Sequence, residues 1–235
     1  MSFAVLLVVI AALNGELDTP KVSTGPVVSA AVEEFRRIAT AHRELRSYDL
    51  QIDVLVESGG STVPLRAVVK CDEQQRCLRI FQNSTTLETP QLSLMVDTTD
   101  QTITVTRNKR ASASRSGALI DPSKTLDAWL QSGGKLSGGE LTPDGRYWTL
   151  DSGKPTTPKT QMYVDGYTHL LRRLVYESEG PKGIRTKVDI RYSWGDPARL
   201  NPADFETNRF IQEQGGIIAP VKAYAQYRII RTDRE

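Results

Sequence analysis

Few residues in this 235-residue chain have side chains suited to chemistry: it holds two histidines and two cysteines. A serine nucleophile needs a positioned base. The available bases are His42, on the apolar stripe of an expected helix, and His169, in an expected hairpin turn. Both read most simply as structural residues. The G-x-S-x-G, H-E-x-x-H and EF-hand spacings do not occur. Two histidines and two cysteines do not complete a four-ligand His/Cys zinc site without carboxylates. Asp49 with Asp53, and Glu177 with Asp189, are conceivable carboxylate pairs. Asp49 and Asp53, however, fall on the polar side of an alternating strand, where solvated carboxylates are normal. The glycine-rich residues 132–140 follow an expected helix instead of opening one, and no Gly-Lys-Ser/Thr occurs, so a phosphate loop is not indicated. The sequence therefore predicts no catalytic residues, no metal site and no cofactor.

Cys71 and Cys77 stand at the two ends of an expected hairpin loop, Asp72-Glu73-Gln74-Gln75-Arg76. They form a disulfide if the protein is exported, and are two free thiols without a role otherwise. The closed loop is short, so a bridge would contribute about 2 kcal/mol. No C-x-x-C redox motif is present. Arg107, Lys109, Arg110 and Arg115 lie in an aperiodic stretch. It is either a plain surface loop or a basic lid for an acidic partner or a lipid headgroup.

The elements that would position these residues are mostly strands. Tyr48, Leu50, Ile52, Val54 and Val56 alternate with polar residues. After Ser58-Gly59-Gly60-Ser61, Val63, Leu65, Ala67, Val69 and Cys71 do the same. Period-two apolar runs around a diglycine predict a one-sided antiparallel hairpin. Further strand signals follow at 78–81, 92–96, 102–106, 147–150, 161–164, 170–176, 188–194 and 217–229, giving about ten strands. An amphipathic helix is expected from Pro26 to Leu45, and a short one from Asp121 to Gly133 with Leu126, Trp129 and Leu130 on one face. Residues 3–13 are an uncharged apolar run of signal-peptide length, so 1–15 reads as a cleaved signal peptide, with a first buried strand as the alternative. Residues 16–25 read as a linker, 26–230 as a single domain and 231–235 as a frayed tail. Hydrophobic residues make up 39% and net charge is +2, an ordinary globular composition that gives no reason to expect nucleic acid. No stretch is long and apolar enough to predict an integral membrane span. The fold class expected is α+β, mainly antiparallel β. Trp129, Trp148, Trp194, Tyr48, Tyr192 and Phe205 are either core or the lining of a cavity for an apolar ligand.

The order of parts resembles the periplasmic lipoprotein carrier family, LolA-like proteins and their LolB-like receptor relatives. The matching stretches are Leu94-Met95-Val96-Asp97 with Thr102-Ile103-Thr104-Val105, and Tyr163-Val164-Asp165 through Leu171-Arg172-Arg173-Leu174. The strand Thr186 to Trp194 with Asn201-Pro202-Ala203-Asp204-Phe205 is the third. The resemblance implies a half-open antiparallel β-barrel with helices over its concave face and a cavity for acyl chains. Cys71, Cys77 and the long segment after Phe205 depart from the family pattern. Together with the alternating strands, the resemblance makes Leu50, Ile52, Val54, Leu65, Ala67, Val69, Leu94, Trp148, Ile190 and Tyr192 the expected lining. Trp129 and Leu130 would close its mouth. The expected function is periplasmic carriage of an apolar or lipidated ligand, with acyl chains or lipoproteins as partners and envelope proteins as further ones. The alternative is a non-catalytic interaction scaffold with a filled core, a subunit of an envelope complex.

Overall fold

A computed structural model describes residues 30–107, 135–151, 159–179 and 183–233. The expected signal peptide, the linker, the short helix carrying Trp129 and Leu130, and nearly all of the basic loop lie outside the described residues. So does the start of the first helix, whose described part is α1, Ala30–Glu44.

Fourteen strands occur among the described residues. They are β1 Tyr48–Ser58, β2 Ser61–Cys71, β3 Cys77–Phe81, β4 Ser84–Glu88, β5 Leu92–Asp97, β6 Thr102–Arg107 and β7 Lys135–Thr142. They continue as β8 Gly145–Asp151, β9 Lys159–Val164, β10 Leu171–Glu179, β11 Arg185–Gly195, β12 Ile211–Gln214, β13 Ile217–Pro220 and β14 Arg228–Asp233. Twelve hydrogen-bond in the order β14-β6-β5-β4-β3-β2-β1-β11-β10-β9-β8-β7, and β12 pairs with β13 alone. The order has two ends, so the sheet is open. Every strand pair of known register is antiparallel except β14 on β6, which is parallel.

This corrects the sequence reading in three places. Three strands were absent from it. β4 is built from polar Ser84-Thr85-Thr86 and β7 contains Gly138 and Gly139, both turn-like compositions, while β12 is only four residues. The stretch expected as one or two final strands is broken by a 3₁₀ turn at Lys222–Tyr224. Arg231 to Asp233, expected to fray, are the end of β14, held beside β6.

The chain divides into two compact units, with β1, β2 and β11 each contributing residues to both. In the second unit (described residues 46–53, 65–107 and 192–233) the register aligns Lys70, Leu78, Leu87, Leu94 and Val105 across five strands on one face. Phe205, Phe210 and Ile211 pack on Leu78, Leu87, Leu94, Val96, Ile103 and Val105, and all are buried. Two prolines start the 3₁₀ turns Pro197–Arg199 and Pro202–Phe205, with Asp196 and Asn201 side chains capping them. Lys70 Nζ reaches Asp204 at 2.7 Å on the same face and fastens the second turn down. One residue further on, where β2 ends, Cys71 stands directly across from Cys77, their Cα atoms 4.2 Å apart, and the two are bridged.

Candidate ligand-binding face

In the first unit (described residues 30–45, 54–64, 135–151, 159–179 and 183–191) an apolar row crosses five strands. Ser58 Oγ is 2.8 Å from Thr186 Oγ1, and Gly195 lies against Asp49. Those contacts run β11 antiparallel to β1 and set Val54 opposite Ile190. Ile190 then faces Leu174, Leu174 faces Met162, and Met162 faces Trp148. Directly opposed residues of an antiparallel pair share a face. Val54, Ile190, Met162 and Trp148 are buried and Leu174 is half-buried. Four interstrand steps of about 4.8 Å make the row about 19 Å long. No charged residue interrupts it.

The row ends on a glycine bulge. Register shifts between Gly138 and Glu140 where β7 pairs with β8. Gly138 has φ 107° and Gly139 φ 103°, conformations that favour glycine. A Cβ on Gly139 would come within 3.0 Å of the Trp148 ring, so its bare backbone is what lets the indole lie there. Arg146, two residues before Trp148 and on the same face, donates from Nη1 to the Gly139 carbonyl at 3.0 Å. Arg146 Nε and Trp148 Nε1 are both buried and have no hydrogen-bond acceptor among the described residues.

α1 runs beside β7 and is tied to the β9–β10 turn through Glu34 and His42, which with Ile38 between them stand four residues apart and so on one stripe. The His42 Nδ1–H donates to the Ile38 carbonyl at 2.9 Å, and its Nε2 accepts from the Leu171 N–H at 3.4 Å. Burial holds the His42 pKa below its ordinary value, against the raising effect of the Ile38 carbonyl. His169 Nδ1 lies 3.0 Å from Glu34 Oε1, and its φ of 57° is enforced by the turn. Asp165 organises that turn. The Thr168 N–H foremost, then the Tyr167 N–H, the Thr168 hydroxyl and the Arg172 charge, lower its carboxyl to about 2 against the opposing effect of burial. Both histidines are thus engaged in holding a helix to a turn.

Of the expected lining, Val54, Trp148 and Ile190 lie in the row of the first unit. The Gly59-Gly60 turn (φ 55° and 81°) is a two-residue hairpin of type I′ character. In the second unit its register sets Asp53 opposite Arg66, and their side chains meet at 2.8 Å. The same register puts Leu50 beside Val69 and Ile52 beside Ala67, all buried, with Leu65 half-buried on the same face. Tyr192 is buried, and desolvation pushes its hydroxyl pKa up. Leu94 is a correction. Val69 aligns with Arg79, Thr86 and Met95, whereas Leu94 aligns with Leu87, Leu78 and Lys70, on the other face under Phe205 and Phe210. An even-odd offset across three strand pairs decides this, and the sequence does not reveal it. Trp129 and Leu130 lie outside the described residues. Met162, Leu174 and Arg146 were missed. Their strands were legible, but the bulge between Leu171 and Arg173 decides that Leu174 faces the row, and the β8–β9 register decides it for Met162 and Arg146.

One carboxylate of each pair considered for catalysis has structural partners. Asp53 accepts from Gln51 and Arg66, and Asp189 accepts two bonds from Arg173, at 2.8 and 2.6 Å. Among the described residues no group of three His, Cys, Asp or Glu side chains is placed to hold a metal ion. Likewise no helix among them is long and apolar enough to cross a membrane.

No protein-family model matches the chain, and no curated protein matches it in sequence. Several solved structures are similar to it. An uncharacterized conserved protein from Thermus thermophilus is 14% identical with a TM-score of 0.47, the match covering 87% of this chain and all of that one. LolA superfamily protein NE2245 from Nitrosomonas europaea is 10% identical with a TM-score of 0.34, covering 77% of this chain and 99% of that one. A chain of the Pseudomonas aeruginosa MucA/MucB complex is 11% identical with a TM-score of 0.43, covering 76% of this chain and 61% of that one.

Proposed function

We propose that this chain is an exported, non-catalytic binding module for an apolar or lipidated ligand, an acyl chain or an acylated protein, acting in the periplasm. The reading keeps the half-open barrel that the motifs imply. The observation that carries it is the uninterrupted apolar row Val54–Ile190–Leu174–Met162–Trp148, about 19 Å long, a length that a long acyl chain can follow. Export is supported by the formed Cys71–Cys77 bridge, since disulfides persist in oxidising compartments. Protein stripped of lipid should take up a fluorescent long-chain fatty acid saturably. Leu174→Lys puts a charge at a half-buried position in the middle of the row and should abolish uptake while the circular dichroism spectrum stays native. Absence of saturable uptake by the wild type would refute the reading.

A second reading, an interaction scaffold within an envelope complex, is favoured by the second unit. There one sheet face is filled by the protein's own Phe205, Phe210 and Ile211, while Ile217 on the β12–β13 hairpin is 72% exposed. Wild-type protein that binds no acyl probe yet co-purifies stoichiometrically with one envelope protein would favour this alternative.

A further inference from the structure

We infer that the end of the apolar row at Trp148 is a site for an anionic oxygen headgroup, a carboxylate or a phosphate ester, on the acyl ligand. The inference rests on the binding reading above and goes beyond it by assigning polar chemistry to the ligand. Trp148 is 6% exposed, yet its indole N–H meets no acceptor among the described residues. Arg146 Nε is buried in the same condition. Burying an N–H donor without an acceptor is destabilising, and burying a charged one more so. Two such donors on alternate residues of one strand share a face, about 6.8 Å apart along it. They are also built into place. Gly139 lends its carbonyl to Arg146 Nη1 and its missing side chain to the Trp148 ring, so one bulge positions both.

The chemistry of the pair selects the occupant. Both groups are donors only, and one carries a full positive charge, so the complement is an acceptor bearing negative charge. Among the described residues no carboxylate pairs with Arg146. Leu141, directly across from Arg146 in the register, is 78% exposed, so an apolar side chain beside β8 is open to solvent there. An amphiphile suits this arrangement, with its chain along the row and its head at β8. A neutral alcohol would accept one hydrogen bond there but leave the guanidinium charge unmatched.

The test compares three probes of equal chain length, hexadecanoate, hexadecyl phosphate and hexadecanol, by equilibrium binding to lipid-free protein. Wild type should bind at least one anion about tenfold or more tightly than the alcohol, as expected for charge-assisted bonds. The tighter anion names the head as carboxylate or phosphate ester. Trp148→Phe keeps the ring and removes the N–H. Arg146→Gln removes the charge, and Arg146→Lys keeps the charge but removes Nε–H, which serves should Arg146→Gln not fold. Each should shrink the anion-to-alcohol ratio at least severalfold. If all three probes bind wild type equally, or the ratio survives the substitutions, ordered water satisfies the donors and the headgroup site is refuted while acyl binding stands. If none of the probes binds, the acyl-binding reading falls as well.

Discussion

Gly145 illustrates how a single position constrains the sheet. Its φ is 122°, and a Cβ there would lie 2.5 Å from the Val164 carbonyl oxygen, a contact no side chain tolerates. Gly145→Ala should therefore lower stability by about 2 kcal/mol or more, read as a reduced urea midpoint at unchanged slope. His42 constrains the helix in another way. Its Nε2 accepts from the Leu171 N–H, so protonation turns acceptor into donor and breaks the link. The native pKa lies below the ordinary 6.5, so between the two values the unfolded chain binds more protons than the native one. The His42 contribution is then full above pH 6.5 and is lost as pH falls toward the lowered native value. Wild type should exceed His42→Gln in unfolding free energy at pH 7.5, and the gap should narrow by pH 5. A gap that is constant or wider in acid would contradict this. Neither role was legible in the sequence, where His42 was one residue of a helix stripe. Its function depends on a turn 129 residues away lying against that stripe.

The elements divide by how local their cause is. The β1–β2, β5–β6 and β9–β10 hairpins were legible because period-two patterning and turn residues are neighbours in sequence. The Cys71–Cys77 bridge followed from the same logic, since a strand register puts the two residues opposite each other. β7 was not legible, because Gly138 and Gly139 signal a turn while here they make a bulge that carries Arg146 and Trp148. The cover of the second unit was equally hidden. Residues 197–214 are short 3₁₀ turns and a four-residue strand with no periodicity, yet they place Phe205 and Phe210 on the sheet. Phe205 is 2% exposed and also receives the Arg76 guanidinium over its ring at 5.2 Å. Phe205→Ala should cost about 3–5 kcal/mol. A loss below about 1 kcal/mol in chemical denaturation would show that the segment is a loose flap instead of part of the core.

At the scale of the molecule, a sheet of this kind was legible as a class, and its ligand face only in part. Alternation says that one side of each strand is apolar. It does not say how sides align across strands, and for that reason Leu94 was placed with the wrong neighbours while Met162 and Leu174 were passed over. Once aligned, the row has a length, and length yields a quantitative expectation. Each methylene transferred from water into an apolar site contributes about 0.8 kcal/mol, close to a fourfold gain in affinity. Such gains persist only while each added carbon still finds apolar surface. Affinity for saturated fatty acids should therefore climb steeply from eight carbons upward and flatten once the extended chain exceeds the row of about 19 Å, near sixteen carbons. Leu174→Lys would cut the row at its centre, so its chain-length series should flatten several carbons earlier if any binding remains. A wild-type series that keeps rising past twenty carbons would instead describe non-specific adsorption, because a surface without an end imposes no length. A series that is flat throughout would mean that the apolar row is simply core.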